Sequence, residues 1–197
     1  MNTISFRKLI FFGALIFISS SLTAEEVTIN LSGLNNASPQ IELVFQGEIY
    51  SADNTYSSIR ERIKDGQAST LEKVLVGSLD ASKVPDREKI LEYWEVGSQT
   101  QVKEMMDDPE VWEFNKNLFQ GIEKSILMAT MEMAEYTFAY VAHQYSGSDR
   151  LSEKVYPLKK VGDQLLFTND LQDNSFFTRF SDLIADHLAE EVLELED

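Results

Sequence analysis

The stretch from residue 125 to residue 145 constrains the fold more than any other part of the sequence. Ser125–Met133 and Tyr136–Tyr145 are strand-like runs rich in apolar, β-branched and aromatic residues, and only Ala134 and Glu135 separate them. Such residues are typical of β-strands, and such a short connection is typical of an antiparallel hairpin. The C-terminal half of the chain is therefore predicted to contain a sheet built from hairpins.

Two further hairpins are predicted from the same pattern. Alternating segments at 27–31 and 41–45 flank the turn-forming residues 33–36, and the strand-like segments Val155–Lys160 and Gln164–Thr168 flank Gly162 and Asp163. Glycine, asparagine and aspartate favour turns because they tolerate backbone conformations that other residues avoid.

Helices are predicted between the hairpin at 27–45 and the hairpin at 125–145. They run from about Asp53 to Gly66, from the capping-box sequence Ser69–Glu72 to Gly77, from Asp86 to Val96, and from Asp108 through Trp112. A last amphipathic helix is predicted behind Asp173 because apolar residues recur there at helical spacing. Short helices followed by an antiparallel sheet define the α+β class.

Residues 1–24 have the layout of a bacterial Sec-type signal peptide. Arg7 and Lys8 precede an apolar run that extends to about Leu22 and ends in small residues. The run is shorter than the roughly 20 apolar residues of a transmembrane helix. We expect cleavage after Ala24 and a periplasmic or secreted protein without membrane attachment. An N-terminal β-hairpin segment at 25–54 and an α+β domain at 55–197 are then expected.

Charge and cysteine content exclude several functions. The chain has 17 Lys and Arg against 33 Asp and Glu, a net charge of −16, and no cysteine. Such an acidic chain lacks the basic excess that neutralises nucleic-acid phosphates. Without cysteine it forms no disulfide and has no thiol nucleophile. Its acidity favours a cationic protein partner instead.

The helices precede the sheet in the predicted order of elements, and the segment Val155–Leu171 reads VYPLKKVGDQLLFTNDL. These two features resemble secreted members of the nuclear transport factor 2-like superfamily. The resemblance covers about residues 55–171. It implies a cone in which a curved sheet wraps around the helices and leaves an apolar pocket. Enzymes of the superfamily, acting on small ketone-like substrates, place a His with an Asp, or an Asp with a Tyr, in that pocket. Other members only bind a partner or dimerise.

His143 is the first candidate site residue. The alternation of Tyr136–Tyr145 places it on one face with Thr137, Ala139 and Val141. If that face lines a pocket, His143 is a candidate general base there. The alternative is a packed histidine, because the sequence assigns it no acidic partner. The other candidate ligand-binding residues are Tyr93, Trp94 and Tyr140.

The remaining polar and sulfur-containing groups point to structure. His187 is expected on the apolar stripe of the last helix, as a packing or surface residue. The acidic clusters at 107–113 and 190–197 lack the spacing of a calcium-binding loop. Strand alternation predicts Met128 on the His143 side and Met131 opposite Phe138, which leaves no convergent copper ligands unless a bulge intervenes. We expect no metal and no cofactor.

Two functions remain open. The first is an exported, non-enzymatic binding or accessory protein that sequesters a cationic partner. The alternative is a protein with a pocket for a small apolar molecule, or an isomerase- or dehydratase-like enzyme that uses His143 as general base. A homodimer joined through the outer faces of the sheet is a further expectation.

Overall fold

A computed structural model describes residues 25–30, 42–173 and Phe177. The predicted signal peptide, the loop of the first hairpin, the last helix, His187 and the acidic tail lie outside these residues. Among the described helices, none combines the length and the apolar character that crossing a bilayer requires.

Five helices precede the main part of the sheet. They are α1 (Tyr56–Lys64), α2 (Thr70–Lys83), α3 (Arg87–Glu92), α4 (Val96–Asp107) and α5 (Pro109–Gln120). Most of these helices begin after a residue whose side chain accepts a hydrogen bond from a backbone N–H group of the first helical turn. Thr55 caps α1, Asp86 caps α3 and Asp108 caps α5, while Ser69 and Glu72 form the predicted capping box of α2.

The helix boundaries differ from the prediction in three places. The second helix does not end at Gly77 but continues to Lys83, and α5 extends beyond Trp112 to Gln120. The third helix ends at Glu92, and a new helix, α4, begins where the prediction placed the end of the third. Gly77 is a packing residue, because a Cβ there would lie 2.2 Å from the Tyr93 hydroxyl.

Within the described residues, six strands form one antiparallel sheet in chain order. They are β1 (Glu25–Asn30), β2 (Glu42–Ile49), β3 (Ile122–Met133), β4 (Tyr136–Tyr145), β5 (Leu151–Val161) and β6 (Gln164–Phe167). The predicted hairpins are confirmed, and β2 also pairs with β3, so the first hairpin extends the sheet. Ala134 and Gly162 have positive φ angles at their turns. The α+β class is confirmed.

The two faces of the sheet bury separate apolar clusters. The helix-facing face includes Leu127, Ala139, Val141, Leu158 and Phe167, which pack with residues of α1 and α2. The opposite face includes Ile126, Met128, Met131, Phe138 and Tyr140, with Leu171 and Phe177 against them.

A register shift between Leu127 and Ala129 corrects one prediction. Met131 does pair with Phe138, as expected. Met128, however, packs with Met131 on the face opposite to His143, because the extra residue of a bulge changes which face the following side chains occupy.

Candidate functional site

A cavity of about 260 Å³ lies between the helices and the sheet. Helices α2, α4 and α5 contribute aliphatic and aromatic side chains, and β4, β5 and β6 contribute one residue each. Aromatic rings form much of the wall: Tyr56, Trp94, Trp112, Phe119, Tyr156 and Phe167. A concave, mainly apolar space with a few polar groups is the usual form of a small-molecule site.

His143 and the Tyr156 hydroxyl form the polar floor of this cavity, and the Ser125 hydroxyl supports His143 from outside the lining. His143 is 2% exposed. Its Nδ1 lies 2.8 Å from the Ser125 hydroxyl and its Nε2 lies 2.9 Å from the Tyr156 hydroxyl. In neutral imidazole one nitrogen donates and the other accepts, and both hydroxyls suit either role. Both ring nitrogens of His143 therefore have a partner in either tautomer.

The charge state of this floor follows from its burial. Burial, assisted by the positive charges of Lys154 and Lys83, lowers the pKa of His143 from 6.5 to about 4. Burial raises the pKa of the Tyr156 hydroxyl. At neutral pH the floor therefore carries no charge. It can donate and accept hydrogen bonds without paying the desolvation penalty of a buried ion.

Backbone and side-chain contacts join the start of α4 to the end of the sheet. The N–H of Phe167 donates to Tyr93 O at 2.8 Å, and the N–H of Glu95 donates to Phe167 O at 3.0 Å. The buried Glu95 carboxylate also accepts from the hydroxyls of Ser98 and Thr168. These contacts fix two walls of the cavity, Trp94 and Phe167, with their ring centroids 5.6 Å apart.

The other candidates from the sequence occupy different positions. Trp94 lines the cavity as proposed. Tyr93 lies beside Trp94 but packs behind the wall, against Gly77. Tyr140, the other candidate on β4, does not line this cavity, because it is fully buried in the cluster on the opposite face of the sheet. Of the four candidates, the structure brings Trp94 and His143 together.

The rim of the cavity is formed by α5. Lys116 is the one cation among the described lining residues, and its ammonium lies 2.8 Å from both carboxylate oxygens of Glu113. The Arg87 guanidinium lies 4.8 Å from the ring centre of Trp112, in a cation–π contact. None of the described lining residues is an Asp or a Glu.

The sequence analysis missed Tyr156 and Tyr56, two polar residues that line the cavity beside His143. It also missed Ser125, which pairs with His143 without lining the cavity. An unbroken register from the Ala134–Glu135 turn would place Ile126 opposite His143, whereas the bulge brings Ser125 there. Tyr156 pairs with Ala139 and so lies on the face of His143, a signal available once the strand register is known.

A second, more open cavity of about 560 Å³ lies near the start of α2 and the β5–β6 turn. Its lining is polar, with Glu48, Glu132, Asp163 and Lys160 among the residues. The Tyr50 hydroxyl there donates to Glu48 at 2.6 Å. Within the part of the chain that is described, no group of His, Asp and Glu has the arrangement of a metal site.

Comparison with family models, with curated proteins and with solved structures finds no match for this chain. The functional argument therefore depends on the cavity and its residues.

Proposed function

We propose that this protein binds a small, largely apolar molecule in the cavity between its helices and its sheet. The observation that carries the proposal is the neutral His143–Tyr156 pair, supported by Ser125, at the floor of a mainly apolar space. Apolar walls supply most of the binding free energy in such sites, and a few polar groups set the orientation of the ligand.

Binding is favoured over catalysis by the state of His143. A general base is most effective when its pKa lies near the working pH, whereas the pKa of His143 is lowered to about 4. Both ring nitrogens are already in hydrogen bonds. We therefore assign His143 the role of orienting the Tyr156 hydroxyl, which lines the cavity beside it.

Sequestration of a cationic partner is the weaker candidate, because charge alone supports it. Much of the acidity has structural roles in the described residues. Asp86 and Asp108 cap helices, and Glu72, Asp80 and Asp170 form ion pairs. A net charge of this size also serves solubility without any partner.

We also propose that the protein is exported and belongs to the nuclear transport factor 2-like superfamily. The pattern of residues 1–24 supports export. The helices that precede the sheet, their packing on one of its faces and the cavity between them support the superfamily assignment.

The proposal can be tested through the two tryptophans of the chain, Trp94 and Trp112, because both line the cavity. A ¹H–¹⁵N spectrum then contains two indole N–H signals, and both report on this site. Titration with naphthalene is expected to shift both signals, and calorimetry gives the affinity. Unchanged indole signals with naphthalene, quinoline and cyclohexanol alike would contradict the proposal.

A cavity-filling variant locates the binding site. Ser78 lines the cavity from α2, so Ser78→Leu is expected to weaken naphthalene binding by about ten-fold or more through loss of space. Ser57→Leu is the matched control, since Ser57 is exposed on α1. Equal affinities of Ser78→Leu and the wild type would place the ligand elsewhere.

A further inference from the structure

Tyr56 is a buried tyrosine whose ring lines the cavity from the first turn of α1. The residue is 4% exposed and follows the N-cap Thr55. Its ring meets the His143 imidazole edge-on, with centroids 6.5 Å apart and planes inclined by 76°. Tyr56 therefore belongs to the same end of the cavity as the His143–Tyr156 pair.

The hydroxyl of Tyr56 differs from its neighbours because no described residue accepts a hydrogen bond from it or donates one to it. His143, Ser125 and Tyr156 pair with one another. Across the described residues, every fully enclosed side-chain nitrogen or oxygen has a partner. The unpaired Tyr56 oxygen must therefore keep access to solvent. For a residue that is 4% exposed and lines the cavity, that access leads through the cavity.

The chemistry of this hydroxyl restricts what it can bind. Burial raises the pKa of Tyr56, so the group stays protonated and offers an O–H donor. A donor in an apolar space is matched by an acceptor on the ligand. The acceptor is uncharged, because a buried anion needs a cation and the one lining cation, Lys116, is already paired with Glu113.

The walls restrict the shape of the ligand. The Trp94 and Phe167 rings lie 5.6 Å apart at 38°, and the Tyr156 ring meets Phe167 edge-on at 5.8 Å. Planar aromatic molecules make the most contact with such rings, through offset-stacked and edge-to-face arrangements. A volume of about 260 Å³ suits a molecule of one ring or two fused rings rather than a long aliphatic chain.

We propose that the Tyr56 hydroxyl is the donor that selects the ligand, and that the ligand is a small, uncharged, planar aromatic molecule with an acceptor such as a ring nitrogen. This inference rests on the proposed function. It adds the chemical class of the ligand and the residue that recognises it.

Quinoline and naphthalene form a matched pair of probes, because they have nearly the same shape and only quinoline carries an acceptor nitrogen. Their affinities are measured by calorimetry at neutral pH for the wild type and for Tyr56→Phe. The affinity of quinoline relative to naphthalene is expected to fall about five-fold in Tyr56→Phe, the size typical of one neutral hydrogen bond. Tyr145→Phe is the control, since Tyr145 contacts His143 without lining the cavity.

The outcomes separate this inference from the proposed function. Unchanged naphthalene affinity in Tyr56→Phe shows that the variant is folded and its cavity intact. If the quinoline-to-naphthalene ratio is the same in the wild type and in Tyr56→Phe, the role of Tyr56 is overturned while cavity binding stands. Tighter binding of 2-naphthoate than of quinoline overturns the uncharged ligand. Failure of naphthalene, quinoline and cyclohexanol alike overturns the proposed function itself.

Discussion

The two faces of the sheet bury different kinds of core. On the face away from the helices, Phe138 is fully buried and stacks on Tyr136 and on Phe177, with ring centroids 6.3 Å and 5.6 Å away. The helix-facing side instead encloses a cavity with a polar floor centred on His143. Close packing gives stability, and incomplete packing leaves room for a ligand. We infer that one face mainly stabilises the sheet and the other mainly binds.

The largest effect is expected where the packing is complete. Phe138→Ala removes a fully buried ring and should lower the free energy of unfolding by about 3–5 kcal/mol, as measured by urea denaturation. The matched control is Phe114→Ala, because Phe114 is 67% exposed and its loss should change stability by less than about 0.5 kcal/mol. If Phe138→Ala has an effect as small as that of Phe114→Ala, the face away from the helices is not closely packed.

The next effect concerns the polar floor and depends on pH. The pKa of His143 lies at about 4 in the folded protein and near 6.5 when unfolded, so the unfolded chain binds the extra proton between these values. Stability from this group is therefore fully present above pH 6.5 and is lost as the pH falls toward 4. The loss is of the order of 3 kcal/mol.

Comparison with His143→Gln isolates this contribution from the carboxyl groups that titrate in the same range. Glutamine keeps a donor and an acceptor but does not ionise. Wild-type stability, measured by urea denaturation at a series of pH values, should fall more steeply between pH 6.5 and 4 than that of the variant. Parallel curves would show that the pKa of His143 is the same in the folded and the unfolded protein, so that its burial in the cavity floor does not disfavour the charged form.

The smallest effect tests whether the loose packing is confined to the cavity. Gly77→Ala introduces a Cβ close to the Tyr93 hydroxyl and should destabilise the protein by about 1–2 kcal/mol, although alanine is the better helix former. In a Tyr93→Leu background the same change should become stabilising by up to about 1 kcal/mol. Stabilisation in the wild-type background would show that α2 and Tyr93 are not tightly packed.

Local patterns predicted the elements whose signals lie within a few residues. The strand-like composition of β3 and β4 and the short turn between them predicted the central hairpin, and the capping box predicted the start of α2. α4 was missed because its sequence lacks a clear apolar stripe and its N-cap, Glu95, makes no side-chain capping bond. Gly77 was misread as a helix end because its reason, the Tyr93 ring, lies outside the local sequence.

The site was predicted in part. His143 and Trp94 were identified from strand alternation and aromatic character, and both line the cavity. The polar neighbours of His143 were not identified. Ser125 lies opposite His143 because of a bulge in β3, and Tyr156 comes from the neighbouring strand β5. Tyr140 lies on the face away from the cavity, as alternation along β4 requires, and packs in the cluster there.

The sequence by itself determined the α+β class, the hairpins and the acidic, cysteine-free composition, because periodicity, turn residues and charge are properties of short segments. The tertiary structure alone decided that His143 is buried and neutral and that Ser125 and Tyr156 satisfy it. It also decided that the Tyr56 hydroxyl, beside the cavity, has no hydrogen-bond partner among the described residues. Burial and hydrogen-bond pairing depend on groups distant in the chain, and those groups meet only when strand register and helix packing bring them together.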